Sequence, residues 1–278
     1  MTTTDCHQDF RQAVDRPEDK IELGRAALAI AVCEYPQLDF AHYLSRIDQL
    51  AVTAAARLSG HPTGYRAIAA LNRVLFEEHG FRGNRENYFD PRNSFLNEVL
   101  ERKTGIPITL SVLYLEVAQR IGLALEGVGF PGHFLVRYLG DNEKVVLDPF
   151  NRGEIRSRES LQEMLDKLYG HKMPLDPSFL RPITNKQILR RMLNNLKMIY
   201  LRENALLKVL PVMEQLVILD PASAEDIRDR GAIYLKLECF NQALEDFQTY
   251  LRLAPLANDA GTIGQQIGAL RKQVAQIH

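Results

Sequence analysis

Cysteine is scarce. The 278 residues hold three, Cys6, Cys33 and Cys239, too few and too scattered for a disulfide framework or a zinc cage. Neither sign of charge is in surplus: 34 Lys and Arg against 35 Asp and Glu give a formal net charge of −1. That argues against a general binder of nucleic acid or of membrane surfaces, which needs an excess of Lys and Arg. No stretch approaches the roughly 18 apolar residues that span a bilayer. The first residues, MTTTDCHQDFRQ, lack the basic-then-apolar layout of a secretory leader. HExxH, CxxC, GxxxxGK[ST] and GxGxxG are missing, and the histidines are dispersed, so neither a metal nor another cofactor is expected. A reducing, cytoplasmic setting is the expectation.

What is present reads first as helix. Pro17-Glu18-Asp19 opens one that runs to Pro36, DFAHYLSRIDQLAVTAAARL gives a second, and YRAIAALNRVLFEEHG a third after a break at GHPTG. Asp90-Pro91 starts another, with Phe95, Leu96, Val99 and Leu100 as its apolar stripe. Pro107 is placed as the first residue of a new helix, ITLSVLYLEVAQRIG, apolar nearly all round and so expected at the centre. The period then shortens. LEGVGF, HFLVRYL and KVVLDPF read as three adjacent antiparallel strands, the last two joined through Gly140-Asp141-Asn142. Ser157 or Ser160 caps a following helix. Helices followed by a small sheet define an α+β fold.

From about Asn185 the text is helical and repetitive. Pro221 and Pro255, Tyr200 and Tyr234, Met213 and Phe247, and Leu193 and Ile227 are each 34 residues apart, the tetratricopeptide period. In the second copy Gly231 and Ala243 let two helices approach, and Tyr234 and Phe247 fill the gap. Lys197 and Val209 stand where the first copy should have small residues. TIGQQIGALRKQVAQ is expected to cap the stack. Such repeats point to a protein or peptide partner.

The chemistry-bearing residues lie on the strands. Counting outward from the 140–142 turn puts His133 opposite or diagonal to Asp148, close enough for an Nδ1–H to carboxylate bond. A group in the first turn of the Pro107 helix would sit at the positive dipole end, among unpaired N–H donors, where a thiol ionises easily. Asp90 and Asn93 are read as helix caps. Arg190-Arg191 is read as a solvated face, and Glu116 as a rim residue or the partner of Arg120.

Helix start, then histidine strand, then aspartate strand is the chain order of papain-like and transglutaminase-like Cys-His-Asp proteins. The run RNSFLNEVLERKTGIPITLSVLYLEVAQRIGL, with GVGFPGHFLVRY and VLDPFN, resembles the SirB1 family, a bacterial group with a transglutaminase-like domain followed by tetratricopeptide repeats. The resemblance implies a helical part over 1–83 packing on the core, a transglutaminase-like core over 84–184 and repeats over 185–278. It puts the cysteine position at Thr109, about eleven residues before Arg120, with Ser111 as the nearby alternative. Neither is cysteine, and Cys33 lies far upstream within an apolar stripe. A hydroxyl attacks only with concerted base assistance, whereas a thiol needs little help. The expectation is therefore a noncatalytic interaction or regulatory protein, a pseudoenzyme with a degenerate Thr109/Ser111–His133–Asp148 site. The alternative is an acyl hydrolase or transferase using Thr109 or Ser111, with His133 as base and Asp148 as its orienter. Binding of a peptide or amide without turnover is a third possibility.

Overall fold

The computed structural model describes residues 6–58, 64–140 and 144–277. Most of the GHPTG break and the tip of the 140–142 turn lie outside the described residues. After a short helix α1 (Gln8–Val14), the chain forms α2 (Leu23–Ala29), α3 (Phe40–Ala55) and α4 (Gly64–Asn72), the last continuing as a wider π-helical turn over Arg73–Glu78. Two-residue strands β1 (Arg82–Gly83) and β2 (Thr104–Gly105) pair in parallel around α5 (Leu96–Arg102). Then come α6 (Pro107–Arg120), β3 (Leu125–Val128), β4 (Leu135–Leu139), β5 (Lys144–Asp148), β6 (Glu154–Arg156) and α7 (Arg158–Tyr169). Helices α8 (Asn185–Arg202), α9 (Leu206–Leu219), α10 (Ala224–Lys236), α11 (Phe240–Leu253) and α12 (Ala260–Ile277) complete the chain. Contacts divide it into two units, Asp15–Met192 and Met1–Val14 with Leu193–His278.

In the larger unit α6 is the central element. Proline at its first position supplies a fixed φ where no N–H is needed. Nearly every residue to Ala118 is buried, as its all-round apolar sequence requires. Tyr114 and Glu116, two of its buried polar side chains, are paired. Tyr114 Oη donates to Asn72 Oδ1 at 2.8 Å, and Glu116 Oε1 accepts from the Gly24 amide at 2.8 Å. The other Glu116 oxygen lies 2.7 Å from Arg120, so Glu116 is a buried, paired group. Helix α6 lies against the four-stranded antiparallel sheet β3-β4-β5-β6. Phe130, Val128, Leu135 and Val146 pack with Leu161 and Leu165 of α7.

Local departures from the sequence reading have physical causes. The helix expected from Pro17 to Pro36 becomes a 3₁₀ turn (Glu18–Lys20) and the seven-residue α2. The β-branched Ile30 and Val32, which lose χ1 freedom in a helix, fall in the turns beyond it. The helix expected from Asp90 is broken at Phe95, which is extended (φ −98°, ψ 124°) and buries its ring edge-on to Tyr35 at 5.5 Å. A 3₁₀ turn over Pro91–Ser94 precedes the break, capped by Asp90, whose carboxylate accepts from Arg92 N. A fourth strand, β6, joins the expected three. Consecutive positive φ at Arg152 (57°) and Gly153 (71°) gives the twist that an antiparallel hairpin needs. Ser157 caps α7 by accepting from Ser160 N.

The smaller unit stacks helix pairs. Gly231 of α10 faces α11 so closely that a Cβ would lie 2.9 Å from Phe247 Cε1 and 3.0 Å from Asp246 Cβ. Ala243 and Phe247 are buried beside it, and Ile263, Ile267 and Leu270 of α12 close the cluster. Lys197, out of pattern for the repeat, extends its ammonium to Asp229 at 2.7 Å, while Val209 is simply buried.

Candidate functional site

Strand register brings the histidine and the aspartate together. Val136 pairs with Leu147 and Arg137 with Val146, which sets Leu135 opposite Asp148 and His133 two residues further out. His133 is not on the strand. It ends the tight turn Phe130–His133, closed by His133 N donating to Phe130 O at 3.1 Å, with Gly132 at φ +64°. From there the ring reaches back, so that Nε2, not the expected Nδ1, lies 3.0 Å from Asp148 Oδ1. The distal nitrogen is used because the ring approaches the carboxylate from a turn rather than from the facing strand position. Nδ1 has no protein hydrogen bond among the described residues.

Asp148 is fully buried and holds three partners. Oδ1 accepts from His133 and from the Asn151 amide at 3.3 Å; Oδ2 accepts from Asn151 Nδ2 at 2.7 Å and from Arg156 Nε and Nη2 at 3.1 and 2.8 Å. Burial pushes its carboxyl up, but the bonds from His133, Asn151 and Arg156 outweigh it and hold the pKa at about 2. The carboxylate is therefore ionised and shared between an imidazole and a guanidinium. Arg156 and Asn151 were not foreseen. The readable signal was the short NRG turn followed by EIR, which folds Arg156 back diagonally across from Asp148.

The two hydroxyls behave differently. Thr109 is fully buried, and its one proton goes to the Asn93 carbonyl at 2.7 Å. Its oxygen also accepts from the Ile106 amide at 3.2 Å, closing the first turn of α6 as a cap. The break at Phe95 leaves the Asn93 carbonyl outside α5, available for this bond. Ser111 is equally buried, and its Oγ has no hydrogen-bond partner. The Asn93 side chain is not a helix cap: it donates to the carbonyls of Asn87 and Tyr88 at 2.8 and 3.2 Å and accepts from Asn84 at 3.1 Å, stitching the 84–90 loop in place.

Around His133 lie aromatic and basic groups. Phe150 meets its ring edge-on at 5.8 Å, Tyr88 meets Phe150 at 6.3 Å, and Phe89, about half exposed, meets Tyr88 at 5.4 Å. Arg191, read from the sequence as a solvated face, instead donates from Nη2 to the carbonyls of His133 (2.8 Å) and Phe130 (3.2 Å) and lies over Phe134. Nothing local in Arg190-Arg191 singles out Arg191 as the one that clasps the turn; only the packing of α8 does.

A buried helix tip, a four-stranded antiparallel sheet and a His–Asp pair define a transglutaminase-like domain, here followed by paired helical repeats. A family model described as transglutaminase-like superfamily matches residues 41–194, and one described as tetratricopeptide repeat matches 196–274. The chain is 36% identical over 264 residues to a UPF0162 protein of Xylella fastidiosa (strain 9a5c), covering 94% of each chain. It is 35% identical over 272 residues to a UPF0162 protein of Vibrio cholerae, covering 95% of each. The chain belongs to the UPF0162 family. Half of it also resembles 22% of human F-box only protein 21, at 35% identity over 143 residues. Among the described residues no helix is long and apolar enough to cross a membrane.

Proposed function

We propose that this protein binds rather than cleaves: a transglutaminase-like module whose His133–Asp148 site recognises a ligand, joined to repeats that recruit a protein partner. This is the pseudoenzyme reading of the SirB1-like resemblance, set in the cytoplasm. The observation that supports it is the engagement of Thr109. A nucleophile needs a free lone pair and a proton that the base can remove. The Thr109 hydroxyl donates to Asn93 O and accepts from Ile106 N, inside a fully buried helix cap. Ser111 Oγ is sealed from solvent as well. Without an attacking group, the imidazole held by Asp148 serves as a hydrogen-bonding element. Tetratricopeptide units typically bind protein segments along the faces of their stacked helices, which supports the partner-binding half of the reading.

The test is labelling of the full-length protein with a fluorophosphonate probe, alongside His133→Ala. No labelling of either is the expected result. Labelling of the wild type that the substitution abolishes would overturn the reading in favour of acyl transfer through Thr109 or Ser111.

A further inference from the structure

The residues around His133 close into a ring. His133 touches Phe150, Phe150 touches Tyr88, Tyr88 lies within electrostatic reach of Arg191, and Arg191 returns to the His133 carbonyl at 2.8 Å. All four belong to the larger unit. Two features of this ring are unbalanced. Arg191 forms no ion pair with any described carboxylate; its neighbours include two carbonyls, the Phe134 ring, Gly129 and Tyr88. Partly buried charges are ordinarily paired, because desolvation without a counter-charge is costly. The His133 Nδ1 has no protein partner, while Nε2 is bound to Asp148. Asp148, the carboxylate that holds His133, is paired with Arg156. The outer edge is apolar and aromatic, with Phe89 about half exposed beside Tyr88.

We propose that this ring is a carboxylate-binding site that takes a small acid or peptide chain end bearing an apolar or aromatic side chain. The carboxylate lies against the Arg191 guanidinium, and the side chain lies on Tyr88 and Phe89. The proposal rests on the binding reading of the site and names its ligand class. Arg191 still has N–H donors beyond the Nη2 pair, and guanidinium–carboxylate bonds are among the stronger hydrogen bonds proteins make. No covalent step is involved.

N-acetyl-phenylalanine and N-acetyl-phenylalaninamide, which differ in the charge at one end, distinguish the outcomes when titrated into the full-length protein and followed by amide chemical shifts. The expected result is saturable binding of the acid, about tenfold or more tighter than the amide, with shifts centred on Gly129–Phe134, Tyr88 and Phe150. Arg191→Gln should remove that preference and Arg191→Lys should retain part of it. Equal affinity for acid and amide at these residues would overturn the carboxylate assignment while leaving the binding reading intact. Shifts of the acid that map elsewhere, or none at millimolar concentration, would overturn the proposal. The fluorophosphonate result tests the binding reading separately.

Discussion

The Thr109 hydroxyl and the Asn93 carbonyl, 16 residues apart in the chain, are joined by a 2.7 Å hydrogen bond at the buried tip of α6. With the bond from the Ile106 amide, it ties the first turn of α6 to the segment before α5. Replacing Thr109 by valine keeps the shape but leaves the Asn93 carbonyl and the Ile106 amide without that hydroxyl. The loss should be about 1–3 kcal/mol of stability, read as a lower denaturant midpoint with an unchanged slope. Thr109→Cys should not produce a fast-alkylating thiol in the native protein. Its rate with iodoacetamide, compared with the wild-type background, should rise only on unfolding.

Asp148 makes stability depend on acid. Its folded pKa of about 2 lies below the usual 3.8, because the bonds from His133, Asn151 and Arg156 outweigh burial. A depressed carboxylate contributes stability that is complete above the unfolded value and lost as pH falls through the folded one. The contribution, about 2 kcal/mol, should therefore disappear between about pH 4 and pH 2. Asp148→Asn should flatten that part of the stability–pH curve. It should also cost about 3 kcal/mol at neutral pH, by leaving the largely buried Arg156 without this carboxylate.

Gly132 holds the turn that carries His133 with φ +64°, and a Cβ there would come within 2.8 Å of Leu168. Gly132→Ala should destabilise the protein by about 1–2 kcal/mol. It should also shift the His133 ring resonances, whereas Gly170→Ala should not. Gly170 also has positive φ, but it ends α7 with open space around it.

Gly231→Ala sets two effects against each other. Alanine gains about 1 kcal/mol of helix propensity over glycine. Against this, the new methyl meets the Phe247 ring and Asp246 Cβ at about 3.0 Å, and neither is the free end of a flexible chain. Overpacking should win by about 1–2 kcal/mol. Calorimetry should show a lowered transition, with the His133 resonances unmoved.

Much of the architecture was readable because it rests on local signals. Pro107 marks the start of α6, the alternation in FLVRYL and KVVLD marks two strands, and the 34-residue spacing from Tyr200 to Tyr234 marks the repeats. The adjacency of His133 and Asp148 follows from counting across one hairpin. What could not be read depends on contacts between distant residues. The break at Phe95 comes from burying its ring against Tyr35, and without that break the Asn93 carbonyl would not reach Thr109. Arg156 and Arg191 look like surface charges in the text. Their engagement depends on a hairpin folding back in one case and on a helix lying beside the histidine turn in the other. The nitrogen that His133 presents to Asp148 depends on its standing before the strand, a displacement of two residues that periodicity does not report.

Helix α8 begins at Asn185, but its first two turns belong with the larger unit: Ile188, Leu189 and Met192 are buried, and Arg191 clasps the His133 turn. A protein shortened at residue 185 to discard the repeats would also lose the guanidinium that steadies its histidine. Any altered ligand recognition in such a fragment would then report the missing clasp as much as the missing repeats. Ending the fragment beyond Arg202 keeps that helix, and the comparison, whole.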